Sequence, residues 1–250
     1  MKHFALIAPL ICLLLALPVQ AASYQVVTEE WAPYNYQQGT QLTGMTTDVV
    51  RAIMAITGDD FPITLLPSMR SSHVLQTRPR TILYSMFRTP DREQRYKWVG
   101  PITEETITPW QLANTLQPID SREQLLQAPQ ITTRQAGLIP DTLKTQGFGN
   151  LDRSAGNNLQ LYKMLLAGRT PIIVGDTAAG VAYYSRLLSL APGTLRQIPV
   201  EIYRASLYIA FSLDSDDRVV AAWTQALERL RHTGELERIR LRYEQPLDGN

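Results

Sequence analysis

Short runs of β-branched and apolar residues alternate with helical patterns along most of this chain. Residues 24–27, 61–66 and 81–85 predict strands, and apolar residues recur at helical spacing between the first two, over residues 46–57. Thr46-Thr47-Asp48 is expected to cap that helix and Gly58 to end it. This alternation predicts an α/β sheet protein.

The second half of the chain continues the pattern. Ser121 and Gln124 have the spacing of a capping box, and residues 159–166 predict a further helix. A predicted strand, residues 172–174, runs directly into Gly175-Asp176 and the next helix. Ligands of α/β folds usually bind at such strand–turn–helix junctions.

The first 21 residues have the pattern of a secretory signal peptide. Lys2 is followed by an apolar run over residues 6–17, and Val19-Gln20-Ala21 matches a signal-peptidase site. We therefore expect residues 1–21 to be removed and the mature protein to be periplasmic. Cys12 is the single cysteine and lies in this segment, so the mature chain should contain no disulfide.

Charge and motif content argue against several classes of function. Loss of Lys2 leaves 23 basic residues against 23 acidic ones, so no bulk charge favours nucleic acid. The sequence has no nucleophile elbow, metal-ligand spacing, P-loop or dinucleotide fingerprint. We expect a protein that is not an enzyme, without cofactor or metal, and monomeric.

Four stretches of sequence, in order, resemble the family 3 extracellular solute-binding proteins, the polar amino-acid-binding type associated with ABC importers. They are TEEWAPYNYQQGTQLTGMTTDVVRAI (28–53), SMFRTPDREQRYKWVGPI (85–102), NNLQLYKMLLAGRTPIIVGDTAAGVAYY (157–184) and the pattern AL..L...G....I...Y (226–243).

The resemblance implies a two-lobed type II periplasmic-binding-protein fold with two crossing hinge strands. Residues 22–106 and 205–250 would form the first lobe and residues 107–204 the second, and the lobes would close around a ligand. The crossings would lie near residues 105–110 and 201–206.

The resemblance also implies roles for individual residues. Arg92 would grip a ligand carboxylate, Asp176 would receive an ammonium group, and Trp31 and Tyr34 would pack beside the ligand. Each residue has a simpler alternative: Arg92 could pair with Asp91 or Glu93, Asp176 could cap a helix, and the two aromatic residues could pack within their own loop.

Other candidate positions depart from the family pattern. Phe87 lies where amino-acid binders often have a Ser or Thr hydroxyl, and an extra basic residue, Arg88, follows it. Ala136-Gly137 replaces the usual Gly-Ser or Gly-Thr at a helix N-terminus. Pro171 replaces the aspartate of the usual Gly-Arg-Val-Asp turn. Gly137 could still offer backbone amides to an anion. Ser85, Arg70 and Arg88 are further candidate ligand contacts. Together with Arg92 and Arg134, Arg70 and Arg88 would make the cleft basic if all four converged.

These features predict a periplasmic protein that closes on a small carboxylated, amino-acid-like ligand and delivers it to an ABC-type importer. One alternative is a ligand-binding partner of a membrane sensor, since the binding chemistry would be the same. A second is an enzyme similar to the cyclohexadienyl dehydratases that share this fold, although His3, His73 and His232 offer no obvious general acid.

Overall fold

A computed structural model describes residues 23–244, and the predicted signal peptide lies outside them. The strands are β1 (Gln25–Thr28), β2 (Tyr36–Gln38), β3 (Gln41–Thr43), β4 (Ile63–Leu65), β5 (Thr81–Phe87), β6 (Tyr96–Ile107), β7 (Trp110–Leu112), β8 (Ile131–Arg134), β9 (Leu151–Ala155), β10 (Leu195–Gln197) and β11 (Tyr203–Ser212). The helices are α1 (Met45–Thr57), α2 (Ser68–Thr77), α3 (Arg122–Gln127), α4 (Leu138–Thr145), α5 (Asn158–Leu166), α6 (Ala178–Leu187), α7 (Asp217–His232) and α8 (Glu235–Glu244). The α/β prediction is confirmed.

The first sheet combines strands from both ends of the described chain, in the order β4-β1-β5-β11-β6. Strand β1 pairs parallel with β4 and β5, and β11 pairs antiparallel with β5 and β6. Helices α1 and α7 pack on each other and α7 packs on β6. The apolar stripe of α7 places Trp223 in this core, where it contacts Phe61 and Phe211.

The second sheet is assembled from the middle of the chain. Strand β7 pairs antiparallel with β10, and β8 pairs parallel with β9. Ile173 joins the two pairs, because it bridges Trp110 of β7 on one side and Thr132 of β8 on the other. The predicted strand at residues 172–174 is therefore a one-residue bridge leading into Gly175.

Two neighbouring segments carry the chain between the sheets. Strands β6 and β11 are the long strands, paired antiparallel from Tyr96↔Ser212 to Ile107↔Tyr203. The chain passes from Ile107 to β7, and it returns from β10 to Tyr203. This topology agrees with the expectation that two segments of the chain cross between the lobes. The exact residue boundaries of the lobes stay a prediction.

The start of α1 corrects one expectation. Its N-cap is Gly44, with a φ of 123°, so Thr46 and Thr47 lie inside the helix and are buried. Met45 and Thr46 donate their backbone N–H groups to Pro33 and Tyr34 carbonyls. A Cβ at Gly44 would lie 2.4 Å from the carbonyl oxygen of Tyr34. The close approach of this glycine fixes the loop after β1 against the helix.

Within residues 23–244, no helix combines the length and the apolar character needed to cross a membrane.

Candidate functional site

A cleft of about 520 Å³ lies between the two sheets, beside the carboxyl ends of β1, β5 and β8. This is the edge where α/β proteins usually bind ligands. One wall comes from the first sheet and its helices and the other from the second. The lining residues are Glu29, Trp31, Ser68, Met69, Ser72, Leu83, Tyr84, Ser85, Met86, Phe87, Asp91, Arg92, Arg134, Ala136, Gly137, Leu138, Ile139, Asp141, Arg153 and Gly175.

Arg92 lies in this lining, half-buried at the start of a 3₁₀ turn that runs from Glu93 to Arg95. Its backbone N–H donates to the Thr89 carbonyl at 3.0 Å, and its guanidinium Nη1 donates to the Phe87 carbonyl at 3.3 Å. Arg92 makes no ion pair with the residues that the structure describes. Its guanidinium can therefore accept an anion in the cleft without first losing a charged partner.

Asp176 is not part of the lining. The residue is only 3% exposed, and its carboxylate is hydrogen-bonded within the protein. Oδ1 accepts hydrogen bonds from Trp31 Nε1 at 3.3 Å and from the Thr177 backbone N–H at 3.0 Å. Oδ2 accepts one from the Tyr162 hydroxyl at 2.9 Å. Burial raises the pKa of Asp176 to about 6, although these donors oppose the shift.

The carboxylate of Asp176 also lies against the first turn of α6. A Cβ built at Gly180 would be 1.9 Å from Asp176 Oδ1, so no side chain fits between them. The N-cap of α6 is Thr177, whose Oγ1 accepts from the Gly180 N–H at 3.1 Å. Asp176 thus lies beside a helix N-terminus, where negative charge is favoured, but the N-cap expected in the simpler alternative for this residue is Thr177 instead.

Trp31 and Tyr34 pack on each other at a ring-centroid distance of 4.7 Å. Trp31 lines the cleft and lies 5.6 Å from the ring of Phe87, which lines it too. Tyr34 does not line the cleft, and its hydroxyl is 2.8 Å from Thr177 Oγ1 on the second sheet's side. The indole of Trp31 therefore forms an apolar wall, while Tyr34 supports it from behind.

The structure does not bring Arg70 and Arg88 into the cleft. Arg70 lies on the exposed side of α2, beside Val74 and Arg78. Arg88 forms an ion pair with Glu93, and its guanidinium lies 5.2 Å from the ring centroid of Tyr208. The pairing with Glu93 and the contact with Tyr208 hold Arg88 outside the lining. These two arginines therefore contribute no charge to the cleft.

Arg134 and Gly137 do line the cleft, Arg134 from the last residue of β8 and Gly137 from the start of α4. Arg134 Nη1 lies 3.3 Å from Glu29 Oε2, in an ion pair that joins the two walls of the cleft. Gly137 is the N-cap of α4, with a φ of 117° and no side-chain cap. The first backbone N–H groups of a helix have no partner within it. In α4 these are the groups of Leu138 and Ile139, since Pro140 has no N–H, and they can serve as donors to an anion.

Ser85 lines the cleft, but its hydroxyl is used within the protein. It lies in β5 with a φ of 63°, and its Oγ donates to Asn35 Oδ1. Asn35 in turn donates to the Glu29 carbonyl oxygen. Ser85 thus holds the loop after β1 in place.

Several lining residues were missed by the sequence reasoning. Glu29 is the most important of them, and its position directly after a parallel strand is a signal that could have found it. Arg153 forms an ion pair with Asp141 at 3.1 Å, and both residues line the same wall. Met69, 66% exposed at the start of α2, adds apolar surface at the mouth. No periodicity distinguishes these residues from ordinary surface positions.

Comparison with known structures indicates the fold. A histidine kinase sensor domain with similarity to periplasmic binding proteins aligns with a TM-score of 0.77 and 20% identity, covering 88% of this chain and 95% of that one. The arginine-, lysine-, histidine-binding protein ArtJ from Geobacillus stearothermophilus gives 0.74 and 19%, over 88% and 95%. The ancestral amino acid-binding protein AncCDT-1, a precursor of cyclohexadienyl dehydratase, gives 0.74 and 17%, over 89% and 95%.

No curated protein matches the sequence. The family model of the bacterial extracellular solute-binding proteins, family 3, matches residues 24–246, which is nearly the whole described chain. The chain belongs to this family and has the type II periplasmic-binding-protein fold.

Proposed function

We propose that this protein binds a small carboxylated solute in the cleft between its two sheets and delivers it, in the periplasm, to an ABC-type importer. The observation that carries the proposal is Arg92, a guanidinium in the cleft lining with no ion-pair partner among residues 23–244. A planar guanidinium can give a carboxylate two parallel hydrogen bonds. The N-terminus of α4 lies in the same lining and offers further donors.

Binding would proceed by closure of the two walls on the ligand. Trp31 and Phe87 supply apolar surface for the ligand body, and Arg92 holds its acid group. The size of the cleft, about 520 Å³, falls within the range of small-molecule sites.

The test is calorimetric titration of the purified protein with a panel of small carboxylates, compared with its Arg92→Ala variant. We expect Arg92→Ala to weaken binding by about 10- to 100-fold, because a charge-assisted hydrogen bond contributes roughly 1.5–3 kcal/mol. Arg70→Ala is the matched control, since it removes the same charge from an exposed position outside the cleft. Equal losses in both variants, or binding that is indifferent to Arg92, would contradict the carboxylate cleft.

A sensor role is the second candidate function, and the likeness to a histidine kinase sensor domain favours it. Import and sensing use the same binding step, so the two functions differ only in the membrane protein that receives the liganded protein. The test is deletion of the gene for this protein in its host cell. Loss of solute uptake in the deletion strain would support import, whereas loss of a transcriptional response to the solute with uptake intact would support sensing.

Binding without turnover is also part of the proposal. A dehydratase would need a general acid in the cleft, yet the acidic residues that line it, Glu29, Asp91 and Asp141, each interact with a neighbouring side chain. Incubation with prephenate should leave its ultraviolet absorbance unchanged, and conversion would establish the enzyme alternative.

A further inference from the structure

The exposed face of α2 carries positive charge that no ion pair among residues 23–244 neutralises. Arg70 and His73 are exposed one turn apart, and Arg78 follows at the C-terminus of the helix. The stretch 61–90 contains four arginines and no aspartate or glutamate, although the whole chain has a formal charge of only +1. Positive charge is therefore concentrated on this part of the protein.

Exposed arginines without an ion pair are concentrated in the same region. Elsewhere most exposed arginines pair with a carboxylate, as Arg204 does with Glu104 and Glu201. Among residues 23–244, the exposed arginines that make no ion pair are Arg70, Arg78, Arg80, Arg95, Arg169 and Arg229. The first four lie between residues 70 and 95, so the unpaired charge is not scattered over the surface.

Three surface grooves surround Arg78. It lines two of them, of about 440 and 340 Å³, together with Arg70, and the third, of about 500 Å³, together with Arg95. Val74 adds apolar surface to the first two grooves. The stretch 61–90 contains no lysine. Arginine is enriched at protein–protein interfaces and lysine is depleted there, so this composition is typical of a surface that binds another protein.

One acidic side chain borders these arginines. Asp214 lines the groove that contains Arg78 and Arg95, and among the described residues that line the three grooves only Asp214 is acidic. Its Oδ2 accepts a hydrogen bond from the backbone N–H of Arg80 at 3.3 Å, and it makes no ion pair with the described arginines. A single carboxylate leaves most of the positive charge of this face available to a partner.

Arg70 does not stabilise the helix that carries it. It is the third residue of α2, whose first turn contains no acidic residue. The N-terminus of a helix carries a partial positive charge, so a cation there is unfavourable. The guanidinium of Arg70 makes no hydrogen bond with residues 23–244 that would offset this effect. Local stability therefore gives no reason for an arginine at this position, whereas an anionic partner does.

Helix α2 also borders the binding cleft. Ser68, Met69 and Ser72 line the cleft, while Arg70 lies between them in sequence and faces the outside. Met69 is 66% exposed at the mouth. A molecule that covered the exposed face of α2 would therefore lie next to the opening through which a solute enters and leaves.

We propose that the exposed face of α2, with Arg70 and Arg78 at its centre, docks an acidic segment of a partner protein beside the mouth of the cleft. A guanidinium can give a carboxylate two parallel hydrogen bonds, and the grooves around Arg78 have room for side chains. A flat layer of anionic lipid headgroups would leave these grooves empty. This inference goes beyond the proposed function, because the docking face and the solute cleft use different arginines.

The test is a fluorescence anisotropy titration of a labelled peptide of six glutamates with the purified protein. We expect the wild type to bind it, and to bind it more weakly as the ionic strength rises from about 0.05 to 0.5 M. Arg70→Glu/Arg78→Glu should weaken binding at least about tenfold. A labelled peptide of six glutamines controls for binding that does not depend on charge.

Arg169→Glu/Arg229→Glu is the matched control variant. It reverses the charge of two exposed arginines that make no ion pair among the described residues, as the α2 variant does. Each pair also includes one arginine near the C-terminus of a helix, Arg78 in α2 and Arg229 in α7. Far-UV circular dichroism checks folding, and Arg70→Gln/Arg78→Gln replaces the charge reversal if that variant does not fold.

Similar peptide affinity in the wild type and both variants would overturn the docking face, as would a wild type that does not bind the peptide below about 1 mM. Cosedimentation with phosphatidylglycerol vesicles tests the lipid alternative. Loss of vesicle binding in the α2 variant, without a corresponding loss of peptide binding, would assign the face to lipid and overturn the proposal.

Calorimetric titration of the same proteins with the carboxylate panel separates this inference from the proposed function. The α2 variant should keep the affinity of the wild type for the solute, because Arg70 and Arg78 lie outside the cleft lining. If no carboxylate binds the wild type, the proposed function fails and the peptide result still decides the docking face. Loss of solute binding in the α2 variant alone would contradict the separation of the two sites.

Discussion

At the scale of single residues, the burial of Asp176 makes the stability of the folded protein depend on pH. Burial raises its pKa from 3.8 to about 6, so the folded protein holds this proton at pH values where the unfolded chain has lost it. The stabilising effect of protonation is complete below pH 4 and disappears as the pH rises through about 6. Near neutral pH the folded protein therefore contains an unfavourably buried negative charge.

Asp176→Asn should remove this dependence. As the pH rises from 4 to 7, we expect the free energy of unfolding of the wild type to fall relative to that of the variant. The expected change is about 3 kcal/mol, from the shift between 3.8 and about 6 at 1.36 kcal/mol per unit. Urea unfolding at a series of pH values measures it. A difference between the two proteins that stays constant over this range would contradict the buried, shifted carboxylate.

At the scale of secondary-structure elements, the junction between Asp176 and α6 depends on one glycine. A glycine in an exposed helix interior is normally less favourable than alanine by about 1 kcal/mol. At Gly180 the sign should reverse, because an alanine Cβ would lie 1.9 Å from Asp176 Oδ1 and 2.3 Å from its Cγ.

We expect Gly180→Ala to destabilise the protein by about 1–3 kcal/mol, the usual cost of overpacking. Gly149→Ala is the control, since a Cβ there meets no atom within 4 Å and should change stability by less than about 1 kcal/mol. Chemical denaturation of both variants makes the comparison. A stabilised Gly180→Ala protein would mean that the carboxylate lies elsewhere.

At the scale of the whole molecule, the two sides of the cleft are joined by the ring contact of Tyr36 with Tyr183, at 4.9 Å between centroids, and by three polar contacts. They are Trp31 Nε1 to Asp176 at 3.3 Å, Tyr34 to Thr177 at 2.8 Å, and Glu29 to Arg134 at 3.3 Å. All three start in the loop after β1, which Gly44 and Asn35 hold in place. We expect this loop to control how far the walls separate in the unliganded protein.

Trp31→Phe tests this expectation, because it keeps an aromatic ring but removes the donor to Asp176. The unliganded variant should have a larger radius of gyration by small-angle scattering, and a free energy of unfolding lower by about 1–3 kcal/mol. Trp98→Phe is the matched control, since the Trp98 indole donates to the Glu93 carbonyl. This hydrogen bond stays within one side of the cleft and does not join the two walls. Similar scattering from both variants would show that the indole hydrogen bond does not hold the walls together.

The sequence by itself determined the features that depend on local chemistry. Alternating strand and helix patterns gave the α/β class, the Ser121–Gln124 capping box is present at α3, and the four family stretches correspond to the family match over residues 24–246. Arg92 was identified from its motif and lies in the cleft lining. Each of these depends on neighbours within a few residues along the chain.

Only the tertiary structure decided which side chains face the cleft. Asp176 was expected to receive a ligand ammonium group and Arg70 was a further candidate contact, yet Asp176 is hydrogen-bonded to Trp31, 145 residues away, and Arg70 is exposed to solvent. The Glu29–Arg134 pair joins residues 105 positions apart, and no local pattern marks it. The direction and partners of a side chain depend on which distant segments pack around it, and those segments meet only when the two sheets come together.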